Sequence, residues 1–290
     1  MPFEADLVLD AHATLGEGPL WSERERVLYW VDILAHRVHR YDPATAENRT
    51  CQLDAPPGVV VERTRGGLAM GWKRGFAGLD FASGAVDTWC HPEADRPQNR
   101  LNDGKCDPAG RFWSGSESPD KSGGFHRLDA DHRATTMLTG IGCSNGLAWT
   151  ADGLTMYYID TVTAEIAAFP FDPERGTLGE RRVTIAVDTK EHGWPDGMCI
   201  DAEGTLWCGH WGGWRINRWD PRTGKLLTTV KLPVSQVTSC AFSGPKLDHL
   251  LITTAAAGLS DEAKKRQPHA GGLFRIATGA IGLPSVAFAG

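Results

Sequence analysis

The chain has 290 residues, 41% of them hydrophobic, and a formal net charge of −6. That length fits one large domain or two small ones, and so mild a charge gives no electrostatic basis for holding nucleic acid or an anionic membrane. No apolar run approaches the roughly 18 residues of a membrane span, and Met1 to Asp10 lacks the cationic start and apolar stretch of a secretory leader.

The elements fall into repeating units. The first unit opens on Glu17-Gly18-Pro19-Leu20-Trp21 and continues with Val27-Leu28-Tyr29-Trp30-Val31-Asp32, then a third run before Asp42-Pro43. A weaker copy begins near Gly66-Gly67-Leu68-Ala69-Met70. The third opens on Asn102-Asp103-Gly104-Lys105-Cys106-Asp107 and leads to Gly110-Arg111-Phe112-Trp113. The fourth, Asn145-Gly146-Leu147-Ala148-Trp149, turns at Asp152-Gly153 into Leu154-Thr155-Met156-Tyr157-Tyr158. The fifth reads Asp196-Gly197-Met198-Cys199-Ile200-Asp201, then Gly204-Thr205-Leu206-Trp207, and a weaker sixth starts near Ser239-Cys240-Ala241-Phe242. Each run has four to seven residues, rich in β-branched and aromatic side chains and bounded by Gly, Pro and Asp. Convincing amphipathic helix patterns are absent.

Four strands per unit, at intervals of roughly 36 to 51 residues, are the pattern of propeller blades. The expected fold is therefore all-β, a six-bladed β-propeller with four-stranded antiparallel blades, spanning residues 1–290 as a single domain. Seven cysteines stand singly with no Cys-x-x-Cys pair, as in a reduced cytoplasmic protein. The basic cluster Lys264-Lys265-Arg266 reads as a solvated loop.

Four units carry a polar residue and a glycine at their head. In a radial fold, equivalent positions on the innermost strands converge on one axis. Asn-Gly and Asp-Gly are common turn dipeptides, so any one alone reads as a turn, whereas Glu17-Gly18 is not a turn pair. Together Glu17, Asn145 and Asp196 bring two carboxylates and an amide oxygen to the axis. Such a hard oxygen set, free of Cys and His, favours calcium, magnesium or manganese. Arg100 and Asn102 lie two apart and share one face of an extended segment, where they can meet a polar substrate. Asp103 is expected to point away, serving the turn or a contact between blades.

The segments Leu15-Gly16-Glu17-Gly18-Pro19-Leu20-Trp21, Asn99-Arg100-Leu101-Asn102-Asp103-Gly104-Lys105, Cys143-Ser144-Asn145-Gly146-Leu147 and Trp194-Pro195-Asp196-Gly197-Met198 resemble the motifs of the gluconolactonase, senescence marker protein and regucalcin family. The resemblance covers essentially the whole chain. It is closest to bacterial sugar-acid lactonases of the xylonolactonase and arabinonolactonase type, which the segment from Thr253 to Phe274 also resembles. It implies hydrolysis of an aldonolactone as the small-molecule partner. One divalent cation (calcium, zinc, manganese, magnesium or iron) would be held by Glu17, Asn145 and Asp196, with Arg100 and Asn102 on the substrate and Asp196 doubling as the base. In the loop Glu117-Ser118-Pro119-Asp120-Lys121-Ser122 the chain departs from the pattern, and either Glu117 or Asp120 would fill the acidic substrate contact. Oligomeric state is expected to be a monomer or a weak homo-oligomer.

Other chemistries find less support. Gly115-Ser116-Glu117 is not a Gly-x-Ser-x-Gly elbow, and no Gly-x-Gly-x-x-Gly follows a strand into a helix. His12, His192 and His210 read as loop or strand residues, and the loops near 192–194 and 210–214 as walls of the channel mouth, whose aromatics either stack on a sugar face or, as is commoner in a propeller, pack between blades. Two alternatives stay open: a propeller hydrolase acting on organophosphates or other esters, and a non-enzymatic metal-binding or interaction propeller.

Overall fold

The computed structural model describes residues 5–290; the start of the segment read as free of a leader, residues 1–4, lies outside them. Six antiparallel sheets follow one another around an axis. Blade 1 comprises Gly16–Ser22, Val27–Asp32, Arg37–Asp42 and Glu47–Gln52, and blade 2 comprises Pro57–Glu62, Leu68–Trp72, Gly75–Leu79 and Val86–Cys90. Blade 3 holds Arg100–Cys106, Phe112–Glu117, Gly123–Leu128 and Ala134–Ile141. Blade 4 holds Ser144–Trp149, Thr155–Asp160, Glu165–Asp172 and Arg182–Ala186, with a short extra strand Thr177–Leu178. Blade 5 is Trp194–Ile200, Leu206–Trp211, Arg215–Asp220 and Lys225–Lys231.

Blade 6 takes only three strands from the C-terminal part, Val237–Ser243, His249–Thr254 and Leu273–Ala277. Its fourth strand is Asp6–Leu9, which pairs antiparallel with Leu273–Ala277, Asp6 opposite Arg275. The two ends of the chain thus close the ring, so that blades 6 and 1 cover each other's apolar faces, Trp30 and Tyr41 packing with Val237 and Phe242.

The expected fold is the one observed, with two differences. The second unit begins at Pro57–Glu62, and Leu68–Trp72 is its second strand. Its inner strand opens on Pro57-Gly58 instead of a polar-Gly head, and Gly58 is wedged against the backbone of Leu101 and Asn102, where a Cβ would collide with the Leu101 carbonyl. Lys264 to Arg266 are exposed as expected, but they end a short helix, Asp261–Arg266, capped by the Ser260 hydroxyl. Among the described residues no helix is long and apolar enough to cross a membrane.

The same side-chain chemistry shapes equivalent turns. Asp107 Oδ1 accepts from the Ala109 and Arg111 amides and its Oδ2 from Trp113 Nε1 at 2.8 Å. Asp201 repeats this with Glu203, Thr205 and Trp207. One carboxylate therefore closes the turn and anchors the tryptophan of the next strand, which is why Asp, Gly and Trp recur at fixed spacing. The apolar core lies between blades: Tyr29, Val31 and Val38 of blade 1 pack on Val60, Met70 and Trp72 of blade 2, and similar layers join the other neighbours. All seven cysteines are free thiols.

His39 sits within this packing, its ring stacked on Trp30 at 4.0 Å and its Nδ1 beside Asn48 and Thr50. Burial lowers its pKa from 6.5 to about 4. The unfolded chain therefore binds a proton near pH 6.5 that the folded chain refuses. The stability this represents is complete above 6.5 and is lost as pH falls from there towards 4. Replacing His39 by Gln is expected to flatten that part of the acid-melting profile. Melting temperatures of parent and variant measured between pH 7.5 and 4.5 would diverge most at neutral pH and converge with acidification.

Candidate metal centre and substrate mouth

In each blade the innermost strand slips register near its start. The slips fall between Glu17 and Leu20, Leu101 and Gly104, Ser144 and Leu147, and Pro195 and Met198. A bulge bends the strand and re-aims one side chain. At Gly18 the backbone enters the left-handed region, φ 53°, and its amide donates back to Glu17 Oε2 at 3.0 Å. Gly197 serves differently: a Cβ there would collide with Ser239 Oγ of the next blade at 2.1 Å. Asp32 and Asp160 pin the chain just before the heads, accepting from the Thr14 and Leu15 amides and from the Gly142 and Cys143 amides.

These bulges bring Glu17, Asn102, Asn145 and Asp196 together as buried polar groups at one end of the axis. Asn145 Nδ2 donates to Thr161 Oγ1 at 2.7 Å, and Thr161 in turn donates to the Pro195 carbonyl, tying blade 4 to blade 5. With its amide nitrogen thus spent, Asn145 presents Oδ1, which accepts from Asn102 Nδ2 at 3.0 Å. Asn102 Nδ2 also donates to the Ser144 carbonyl, and its Oδ1 accepts from Arg100. Asn102 is therefore a bridge between the arginine and the axial amide. Arg100 also faces Glu117, its Nε 3.5 Å from Glu117 Oε2.

The two acidic candidates of the 117–122 loop separate clearly. Glu117 stands opposite Arg100 on the neighbouring strand and is half-exposed at the mouth. Asp120 accepts from Ser118 Oγ, the Ser122 amide and Gln98 Nε2. Those bonds, Ser122 and Ser118 foremost, hold its carboxyl down at about 2. It shapes its own loop, so the structure does not bring Asp120 to the other site residues.

Charge defines the centre. Burial pushes the Glu17 carboxyl up to about 8, with the charge of Asp103 adding to it. Burial likewise raises the Asp196 carboxyl well above its ordinary range, reinforced by Glu17 and Asp103. Asp196 Oδ1 is buried without any hydrogen-bond partner. A buried oxygen with no donor and two carboxylates in mutual repulsion is a donor set that fits a divalent cation. The residues present thus match the group expected there. Asp103 departs in part from the expectation that it points away. It serves its own turn as expected, accepting from Gly104 N at 2.7 Å. The bulge between Leu101 and Gly104 nonetheless breaks the alternation, and the charge of Asp103 bears on Glu17 and Asp196 at the axis. Asp103 lines a cavity of about 360 Å³ further along the axis, which opens to solvent beside the exposed segment 284–286 and is also lined by Lys105. That cavity is distinct from the mouth bounded by Arg100 and Glu117.

Sequence reasoning also missed Thr161, which no motif marks, and Cys143, whose Sγ lies 3.6 Å from Asn145 Nδ2. His12 is exposed, and His192 and His210 are packing groups. His210 is fully buried beneath Trp219, which holds its pKa down at about 3 through burial, and His192 meets the same ring edge-on at 5.4 Å. Trp194 and Trp214 are exposed.

A closed ring of six four-stranded blades, with an oxygen-lined polar centre at one end of the axis, defines a propeller with an axial small-ligand site. The family described as the SMP-30/gluconolactonase/LRE-like region matches residues 15–256. The chain is 39% identical to regucalcin of Xenopus laevis over 285 residues, 95% of each chain. Its fold superposes on a luciferin-regenerating enzyme with a TM-score of 0.92 at 30% identity, covering 98% of this chain and 99% of that one. The calcium-binding protein regucalcin of Agrobacterium tumefaciens superposes with a TM-score of 0.94 at 26% identity, over 99% and 98% of the two chains. The chain belongs to the SMP-30/gluconolactonase/LRE-like family.

Calorimetric titration of chelator-stripped protein with calcium, magnesium, manganese and zinc checks the centre without any assay of turnover. Glu17→Gln and Asp196→Asn are expected to weaken the best cation by more than about 100-fold. Thr161→Val, which frees the Asn145 amide, should cost about 10- to 100-fold. Asp120→Asn should leave the affinity unchanged.

Proposed function

We propose that this protein hydrolyses a sugar lactone, an aldonolactone, to the open-chain aldonic acid with the help of one divalent cation. The observation that carries the reading is the buried, partnerless Oδ1 of Asp196, beside Glu17 and Asn145 and below the polar pair Arg100 and Glu117. Glu17, Asn145 and Asp196 would hold the cation. When bound, it supplies Lewis-acid polarisation of an ester carbonyl.

The chain's own groups account for the rest of the reaction. Arg100 donates to ring hydroxyls, and Glu117 accepts from one. Asn102 keeps the guanidinium aligned with the axial amide rather than offering both its own ends to substrate, because those ends are already bonded. Asp196 takes a proton from water as the water oxygen bonds to the lactone carbonyl carbon. Collapse of the tetrahedral oxyanion restores the carbonyl and breaks the bond to the ring oxygen. That oxygen takes the proton that Asp196 received and leaves as the new hydroxyl, which restores the Asp196 carboxylate, and the carboxylic acid remains. Burial of the site keeps bulk water from competing for these hydrogen bonds.

Membership of a family that includes gluconolactonases supports this reading, as does a structural relative described as calcium-binding. A soluble protein of the cytoplasm, acting on a small molecule and without nucleic acid, accords with the seven free thiols and mild charge.

Hydrolysis of an aldonolactone panel, followed with a pH indicator after stripping and single-metal reloading, tests it. Activity should vanish on stripping and return with one cation. Asp196→Ala is expected to lower kcat by about 10³-fold or more, and Arg100→Ala to raise KM by roughly 10- to 100-fold. A chromogenic phosphotriester run beside the lactones separates the broader esterase alternative. Silence towards every lactone with every metal would refute the proposal.

A further inference from the structure

Blade 3 carries a second buried carboxylate centre that touches none of the axial groups. Glu93, in the connection from blade 2 to blade 3, is buried, and both its oxygens are fully used. Oε2 accepts from Asn99 Nδ2 at 3.0 Å and from Ser116 Oγ at 2.7 Å. Oε1 accepts from the Gly124 amide and lies 3.2 Å from His126 Nε2. The other ring nitrogen of His126 faces Thr136 Oγ1, so the nitrogen turned to the carboxylate is assigned the proton.

Two of these four partners are immediate neighbours of the residues at the mouth. Asn99 precedes Arg100 and Ser116 precedes Glu117, and Arg100 and Glu117 are opposite each other in the ladder. Two further bonds tie the same two segments together: Arg96 Nη1 donates to the Ser122 carbonyl and Gln98 Nε2 to Asp120 Oδ2. Lys73 Nζ of blade 2 donates to the Asn99 carbonyl and holds the connection from the other side. The 91–99 connection and the 118–122 loop are thus joined behind the Arg100–Glu117 pair, with Glu93 at the centre.

We infer that Glu93 is a positioning residue, acting through Asn99 and Ser116 to hold Arg100 and Glu117 as a rigid clamp for the substrate's hydroxyls. The inference rests on the lactonase reading for the identity of what is clamped. The site demands an acid: all four partners are donors, so an amide would set its own N–H groups against two of them. Burial tends to raise the Glu93 carboxyl, but hydrogen bonds from His126, Ser116 and Asn99 outweigh it and hold the group at about 2. The carboxylate is consequently charged at every working pH and spends that charge on the clamp.

The test uses the metal-loaded full chain carrying Glu93→Gln, with Ser116→Ala as a milder variant should the first fold poorly. Assayed well below its melting temperature, Glu93→Gln is expected to raise KM for the best lactone by roughly 10- to 100-fold, the cost of misplacing a binding group by about 1 Å. Its kcat and its calorimetric cation affinity should stay close to the parent values. In a background lacking both clamp groups, Arg100→Ala with Glu117→Ala, the same substitution should add no further rise in KM, because its effect travels through those two residues. An unchanged KM with only a lowered melting temperature, or full additivity with the Arg100→Ala, Glu117→Ala pair, would overturn the inference. If the parent hydrolyses no lactone, the lactonase reading falls, and a crystal structure of Glu93→Gln decides the positioning alone. A guanidinium of Arg100 displaced by about 1 Å or more supports it; one that superposes on the parent overturns it.

Discussion

The arrangement depends on negative charge collected where water cannot dissipate it. Glu17 and Asp196 face each other at the axis with Asp103 beside them, and burial makes each carboxylate costly in its charged form. Three such groups stay together only if protons or a cation balance them, and Asp196 Oδ1, bonded to nothing, marks where the balance is incomplete. The positive side chains nearby, Arg100 above and Lys105 below, are themselves held. One is bonded to Asn102 and the other to the carbonyls of Leu147 and Met198. A propeller can bear this cost because its stability comes from apolar layers between blades, away from the axis.

Division of labour between the two ends of the ring follows from strand direction. At one end the Asp-x-x-Gly turns use carboxylates to close the chain and anchor tryptophans, as Asp107 and Asp201 do. At the other end the inner strands start with bulges, and the same residue types face a centre rather than their own backbone. Asp32 and Asp160 serve that end by pinning the chain ahead of the bulges. A carboxylate is therefore a turn former, a strand anchor or an axial ligand candidate according to where the ladder places it.

Much of this was legible in the chain because it is local chemistry. Repeated turns need Gly and Asp at set offsets from a tryptophan, and strands need short β-branched runs, so the six units and their four-strand content can be read directly. Glu17, Asn102, Asn145 and Asp196 stood out as heads for the same reason, and the structure brings those four together. Asp120 could not be told from Glu117 in this way. Its role depends on three hydrogen bonds inside its own loop and with Gln98, which no spacing rule encodes.

What the sequence by itself determined was the kind of element and its repetition, since these depend on interactions a few residues apart. Tertiary structure alone decided the closure of the ring, because Asp6–Leu9 finds Leu273–Ala277 from the opposite end of the chain. It also decided the direction of Asp103. One extra residue in a ladder reverses the alternation that a strand would otherwise impose, and a bulge is a property of two paired strands rather than of one. Glu93 belongs to the same class. Its four donors come from three separate segments, and only folding assembles a site whose parts are individually unremarkable polar residues.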